Sequence, residues 1–155
     1  MVLRKFARRT LRKRLNKVLR RIPGAIRSGD AAQLHALRKE CKGLRYSVEF
    51  FAPLLAAGGA EALGLLESLQ ERLGTIADAD AFARTYATLL DGLKHDDPRR
   101  PGLTACRESA RGRREKALAT LRRWCSGADP DGAYPDRLAA SISSALGSLS
   151  PKSDA

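Results

Sequence analysis

The first 29 residues of this chain contain no aspartate or glutamate, although they contain eleven arginines and lysines. The whole chain of 155 residues carries a formal net charge of +12, so its surface attracts polyanions and repels cations. Nucleic acid, anionic lipid and polyphosphate are therefore the candidate partners. Because Leu11, Leu15 and Val18 recur at three- and four-residue steps in this stretch, an amphipathic helix is favoured over a disordered basic arm.

Cysteines and long apolar runs are also scarce. Cys41, Cys106 and Cys125 lie far apart without a CxxC pair, which argues against a zinc or redox site and indicates free thiols in a reducing compartment. The longest apolar-leaning run is broken by Pro53 and two glycines, so no membrane span is predicted. The basic N-terminus is not followed by the apolar stretch of a secretory signal. We therefore expect a cytoplasmic protein.

No run of alternating apolar and polar residues is typical of a β-strand, so the predicted fold is all-α. Four helices are expected. They cover about residues 2–22, the stretch from an N-cap at Asp30 through Leu55, the stretch after Gly58 and Gly59 to about Leu93, and about residues 103–125. They would pack as an antiparallel four-helix bundle over residues 1–125. Residues 126–155 would form a linker, a short extra helix and a flexible tail.

Three details of this packing are also predicted. Pro23 is expected to end the first helix, because proline stops helices. Gly74, inside the third helix, hints at a close approach of another backbone. The buried face of the fourth helix would consist of Leu103, Cys106, Ala110, Ala117, Leu121 and Trp124.

Residues 34–55 carry two stripes when placed on a helix at about 100° per residue. The expected bundle seam is apolar and consists of Leu37, Cys41, Leu44, Val48, Phe51 and Leu55. The second stripe is basic, lies on a different face and consists of His35, Arg38, Lys42 and Arg45. Like charges on one helix face repel one another. An anion outside the helix is therefore expected to offset the repulsion.

Two further basic ladders occur on other expected helices. They consist of Arg4, Arg8 and Arg12 on the first helix and of Arg107, Arg111 and Arg114 on the fourth. Three ladders in one bundle would line a cationic groove. The alternative is a solvated surface with i,i+4 salt bridges, but few acids lie near the stripe of the second helix, where only Glu49 falls close.

The stretch from His35 to Phe51 resembles the signature helix of the conserved histidine α-helical domain, CHAD. The family pattern is roughly His-x-x-Arg-(Lys/Arg)-x-x-Lys-x-x-Arg-Tyr followed by Glu-Phe-Phe. It is matched here by His35, Arg38, Lys39, Lys42, Arg45, Tyr46, Glu49, Phe50 and Phe51. The segments LQERLGTIADADAF and LATLRRWC resemble later parts of the family, so the resemblance covers about residues 2–125.

The resemblance implies a helical bundle that binds inorganic polyphosphate along a basic surface, with no catalysis, cofactor or metal. The implied binding residues are the three ladders together with Lys39 and Tyr46. The implied location is the cytoplasm, in association with polyphosphate or its granules. Because the family domain is commonly built from two similar halves, this chain would correspond to the C-terminal half. It would be either a truncated member or one subunit of a homodimer that rebuilds a double bundle.

Two other classes of binding protein remain open. The acid-free first helix also suits a nucleic-acid or ribosome-associated protein, and a basic face could instead dock an acidic protein or an anionic membrane. Single-strand binders place aromatic rings along a basic groove. Aromatics are only 5% of this chain, and the core is expected to take up Phe6, Phe50, Phe51 and Trp124.

Catalysis is the least supported class, because no nucleophile lies beside a base. Asp78 and Asp80 do not suggest an acid/base or metal pair, since positions two apart on a helix face different ways. They are expected to pair with arginines from neighbouring helices instead.

Overall fold

The computed structural model describes residues 2–55, 58–128, 134–147 and 149. Within these ranges the chain forms α-helices and one short 3-10 helix, without a β-strand. The elements are α1 (Val2–Ser28), α2 (Ala31–Phe51), the 3-10 helix (Ala52–Leu54), α3 (Gly58–Asp91), α4 (Arg100–Ser126) and α5 (Tyr134–Gly147). The predicted all-α bundle with a short additional C-terminal helix is confirmed. Much of the expected linker and the expected tail, at 129–133 and 150–155, lie outside the described residues.

Each of the first four helices packs against the next one in the chain, and α3 also contacts α5. One hydrophobic core joins all five helices. The fully buried core members of α3 run from Ala62 to Ile76, and those of α4 from Leu118 to Trp124. The remaining parts of these two helices, residues 77–91 and 100–117, pair with each other beyond the main core. We call this pair the α3–α4 extension.

The first helix is longer than expected, because it continues through Pro23 to Ser28. The prediction that it ends at Pro23 is wrong. A proline inside a helix costs about 3 kcal/mol, but Ala25 and Ile26 are buried beyond it and offset this cost. The helix ends at Gly29, whose φ of 64° lies in the left-handed region that favours glycine.

The start of α2 agrees with the sequence. The Asp30 carboxylate accepts a hydrogen bond from the backbone N–H of Gln33 at 2.9 Å, as an N-cap does. The helix ends at Phe51, before the expected Leu55, because Pro53 lies in the 3-10 turn that follows it.

The last helix, α5, docks into the core rather than lying apart from it. Tyr134, Leu138 and Ile142 are almost completely buried, and α5 packs mainly against α3. Gly58, at the start of α3, permits this contact, since a Cβ there would overlap the carbonyl oxygen of Ser141.

Several predicted core positions are wrong. Gly74 has open space where a Cβ would lie, so no backbone approaches it closely. Cys106 is exposed on α4, within the α3–α4 extension. Phe6 and Phe50 are 58% and 74% exposed, whereas Phe51 and Trp124 are buried as expected.

Gly29→Ala is expected to lower the free energy of unfolding by about 1–3 kcal/mol. An alanine is strained at this φ, and its Cβ would overlap the Leu118 side chain. Urea denaturation followed by circular dichroism measures the change. Gly74→Ala is the matched control and is expected to be neutral or to stabilise by up to about 1 kcal/mol, because its surroundings are open. Equal destabilisation by both changes would contradict this account of the turn at Gly29 between α1 and α2.

Thiol reactivity is expected to differ sharply among the three cysteines. Burial raises the pKa of Cys41 to about 12 and the pKa of Cys125 to about 11, so both thiols stay protonated well above neutral pH. The thiolate is the reactive form, and Cys106 is exposed. A disulfide reagent at neutral pH should therefore modify one thiol quickly in the native protein and all three after unfolding. Rapid modification of Cys41 in the native state would be inconsistent with its burial.

Candidate functional site

The two stripes of α2 lie on different faces of the folded helix. Leu37, Cys41 and Leu44 are completely buried in the seam. The basic stripe faces outward: Arg38 and Arg45 are half-buried, while His35 and Lys42 are exposed. The core and the charge of this helix are therefore separated, as the spacing predicts.

Acidic partners are few on the outward face of α2. Arg45 approaches Glu49 at 3.4 Å and Glu67 of α3 at 3.9 Å. Among the described residues no ion pair is recorded for the other basic groups of this face, which are His35, Arg38, Lys39 and Lys42. Most of the positive charge along α2 is thus available to an anion from outside. We call the surface formed by these four residues and Arg45 the α2 basic face.

Contacts on the two sides of α2 define how this helix is rotated about its axis. On the side of α1, Glu40 approaches Arg21 at 3.7 Å, and the Arg14 guanidinium lies directly over Gly43. On the side of α3, Arg45 reaches Glu67. The α2 basic face therefore runs along the outer surface of α2 and borders both neighbouring helices.

The ladder of α1 does not join this face. Arg14 and Arg21 mark the side of α1 that faces α2. At about 100° per residue, the ladder lies roughly a quarter to half a turn away around α1. It consists of Arg4, Arg8 and Arg12. The α1 ladder therefore points away from the α2 basic face, while phosphate binding by these arginines stays a prediction.

A different edge of α1 lies beside the α2 basic face, and sequence reasoning did not select it. This edge borders a concavity of about 380 Å³ lined by Phe6, Arg9, Thr10, Lys13, Arg14 and Lys17. Gly43 is the signal that could have revealed it, since a glycine inside a helix marks a place where a neighbour approaches. A Cβ at this position would overlap the Arg14 guanidinium.

The ladder of α4 is partly used inside the protein. Arg114 donates hydrogen bonds to the Asp80 carboxylate of α3, at 2.6 Å, and to the backbone carbonyl of Gly29. Arg107 and Arg111 approach Glu108 at 3.4 and 3.3 Å. The expected pairing of Asp80 with an arginine from another helix is confirmed. Arg114 touches Gly29, which lies just before the start of α2. Arg107 and Arg111 precede Arg114 on α4 and therefore lie further along the α3–α4 extension.

The one aromatic residue expected near the basic stripe is exposed there. Tyr46 is 52% exposed, and the Arg45 guanidinium lies 5.4 Å from the centre of its ring. Such a cation–π contact leaves the outward ring face free for another partner.

Candidate metal groups and membrane-spanning helices are both absent from the described part of the chain. No group of three His, Cys, Asp or Glu side chains within these ranges could hold a metal ion. Each helix there is too short or too polar to span a bilayer.

The fold and its surface define a helical bundle with a cationic outer face. A family model described as the CHAD domain matches residues 1–85, more than half of the chain. The chain therefore belongs to the CHAD family. No curated protein and no solved structure gave a significant match to it.

The matched range contains α1, α2 and most of α3. It stops short of the residues 2–125 suggested by the motifs, so the α4 ladder and the segment LATLRRWC lie outside it. CHAD domains are known in general for binding polyphosphate and are generally binding domains rather than catalytic ones.

Arg114→Lys is expected to lower the free energy of unfolding by about 1–3 kcal/mol. A lysine cannot present the planar fork that binds the Asp80 carboxylate and the Gly29 carbonyl at once. Arg111→Lys is the matched control, because that side chain is 58% exposed and its surface ion pair contributes little. Chemical denaturation of both variants measures the difference. Equal stability of the two would show that the Arg114 contacts are dispensable.

Proposed function

We propose that this chain binds inorganic polyphosphate along the α2 basic face. The observation that carries this proposal is the absence of ion pairs for Arg38, Lys39 and Lys42 among the described residues. Membership of the CHAD family supports the same ligand.

The residue types suit a ligand that consists of repeated phosphates without bases. Arg38 and Arg45 offer planar forked donors, which match two phosphate oxygens at once. Lys39 and Lys42 act as point charges and do not require one orientation. His35 can donate a hydrogen bond to a phosphate oxygen when neutral and adds charge when protonated.

Neighbouring basic groups would extend the surface for longer chains. Lys13 and Lys17 continue it across α1, on the edge that Arg14 brings close to α2. We propose that Arg107 and Arg111 of the α3–α4 extension contact more distant phosphates of a long ligand. We propose that Arg4, Arg8 and Arg12 contact phosphates only when a long ligand wraps around α1, because they face away from α2.

The activity proposed for this domain is binding, without a chemical step. A polyanion that neutralises the α2 basic face removes the repulsion among its like charges. The protein would be found where its ligand is found. We propose that it associates with polyphosphate granules in the cytoplasm.

The double variant Arg38→Ala/Lys42→Ala is expected to raise the Kd for long-chain polyphosphate by at least about tenfold. It should also make the plot of the logarithm of the association constant against the logarithm of the salt concentration less steep, by about 2. Each removed cation means that about one fewer counterion is released from the polyanion on binding. Titration of labelled polyphosphate at several salt concentrations measures both. The helix content should not change, because neither side chain has an ion pair to lose.

A matched control removes two lysines elsewhere. Lys94 and Lys116 are exposed and lie in the α3–α4 loop and on α4, away from α2. Lys94→Ala/Lys116→Ala lowers the net charge by the same amount and is expected to change the Kd by less than about twofold. If the two double variants lose equal affinity, the binding depends on net charge alone and the proposed face is wrong.

A further inference from the structure

Three aromatic rings are exposed on the outer surface shared by α1 and α2. Phe6 is 58% exposed, Tyr46 is 52% exposed and Phe50 is 74% exposed. Burying such rings normally contributes to folding, so their exposure beside a cationic surface calls for a partner. Polyphosphate has no apolar part, so the faces of these rings contribute nothing to its binding.

The rings form a row with the cations. Lys42, Tyr46 and Phe50 follow one another at four-residue steps and therefore lie along one face of α2. Phe50 and Phe6 both form T-shaped pairs with the buried Phe51, with ring centres 4.9 and 6.0 Å from its own. Phe6 of α1 thus lies at the aromatic end of the same surface.

The α1 side of this surface is concave and basic. Phe6 forms one wall of the 380 Å³ concavity, and Arg9, Lys13 and Lys17 line it together with the Thr10 hydroxyl. An aromatic wall beside several cations can hold a base and its phosphates at the same time.

We propose that the α1–α2 surface binds single-stranded nucleic acid, with bases stacked on Phe6, Tyr46 and Phe50 and phosphates on the adjacent cations. Exposed rings beside a cationic groove are the usual arrangement in single-strand binders, because every base has a face that can stack. The proposal shares its cations with polyphosphate binding but depends on different side chains. It therefore stands or falls separately from the proposed function.

Charge decides against a second copy of this chain as the partner. Each copy carries a formal net charge of +12, so two such faces repel each other. An anionic membrane would also match the charge, and Val2 and Leu3 are exposed on α1 near the same end. A nucleic-acid strand that runs along α2 would contact Tyr46 within the basic row, whereas a lipid surface would contact the protein only at one end. The position of Tyr46 therefore favours nucleic acid.

The test compares two strands that have the same charge but differ in their bases. One is an oligoadenylate of about 12 nucleotides, within the site sizes of single-strand binders. The other is an abasic sugar-phosphate strand of equal length. Fluorescence anisotropy with the full chain is expected to give an affinity for the oligoadenylate at least about fivefold higher, because only this strand can stack.

The double variant Phe6→Ala/Phe50→Ala is expected to reduce that preference, because only Tyr46 remains to stack, and to leave the affinity for long-chain polyphosphate unchanged within about twofold. Both side chains are mostly exposed, so the fold should be retained, as a thermal melt would check. Phe82→Ala is the matched control. This ring is 49% exposed on α3, outside the surface, and its loss should change neither affinity.

Other results would overturn the proposal. Equal binding of the two strands by the unaltered protein, or an equal effect of Phe82→Ala, would exclude stacking on these rings. Loss of binding to phosphatidylserine vesicles in Phe6→Ala/Phe50→Ala, with binding of the oligoadenylate unchanged, would assign the rings to a membrane. The two proposals can also fail separately. If Arg38→Ala/Lys42→Ala leaves polyphosphate binding intact while Phe6→Ala/Phe50→Ala still weakens the preference for bases, only the polyphosphate site is wrong.

Discussion

The hydrogen bonds of Arg114 hold three helices of this protein together around the turn at Gly29. The left-handed backbone of Gly29 ends α1 and lets α2 begin directly beside it. Its carbonyl accepts a hydrogen bond from Arg114, which also binds the Asp80 carboxylate, so one side chain of α4 joins α3 to the α1–α2 turn. Leu118 occupies the space that a side chain at position 29 would need. This junction therefore connects the turn between α1 and α2 to both helices of the α3–α4 extension.

Arginine has two distinct roles in the molecule. Where a carbonyl or carboxylate lies within reach, the guanidinium stabilises the fold, as Arg122 does by donating to the carbonyl oxygens of Ile26 and Arg27, each at 3.0 Å. Arg100 similarly donates to Leu90 and Leu93 at the end of α3. Along the outer face of α2 such acceptors are few, so the charge remains available to a ligand. The same residue type is therefore held within the fold or left open to solvent according to its neighbours.

Much of the fold follows from local pattern. The apolar spacing of Leu37, Cys41 and Leu44 predicts the seam, and Asp30 predicts the start of α2, because both depend on residues within a turn or two. The end of α1 could not be predicted from Pro23, since the packing of Ile26 against other helices outweighs the local cost. The exposure of Phe50 could not be predicted either, because a ring is buried only if another helix covers it.

The sequence by itself determined the helical class, the family and the separation of the α2 seam from its basic stripe, because these depend on residue type and spacing along one helix. Only the tertiary structure decided which basic groups share a surface. The rotation of α1 about its own axis, visible in the position of Arg14 over Gly43, turns one edge toward α2 and the Arg4, Arg8 and Arg12 ladder away. Spacing defines the faces of a helix, but packing against other helices decides where each face points.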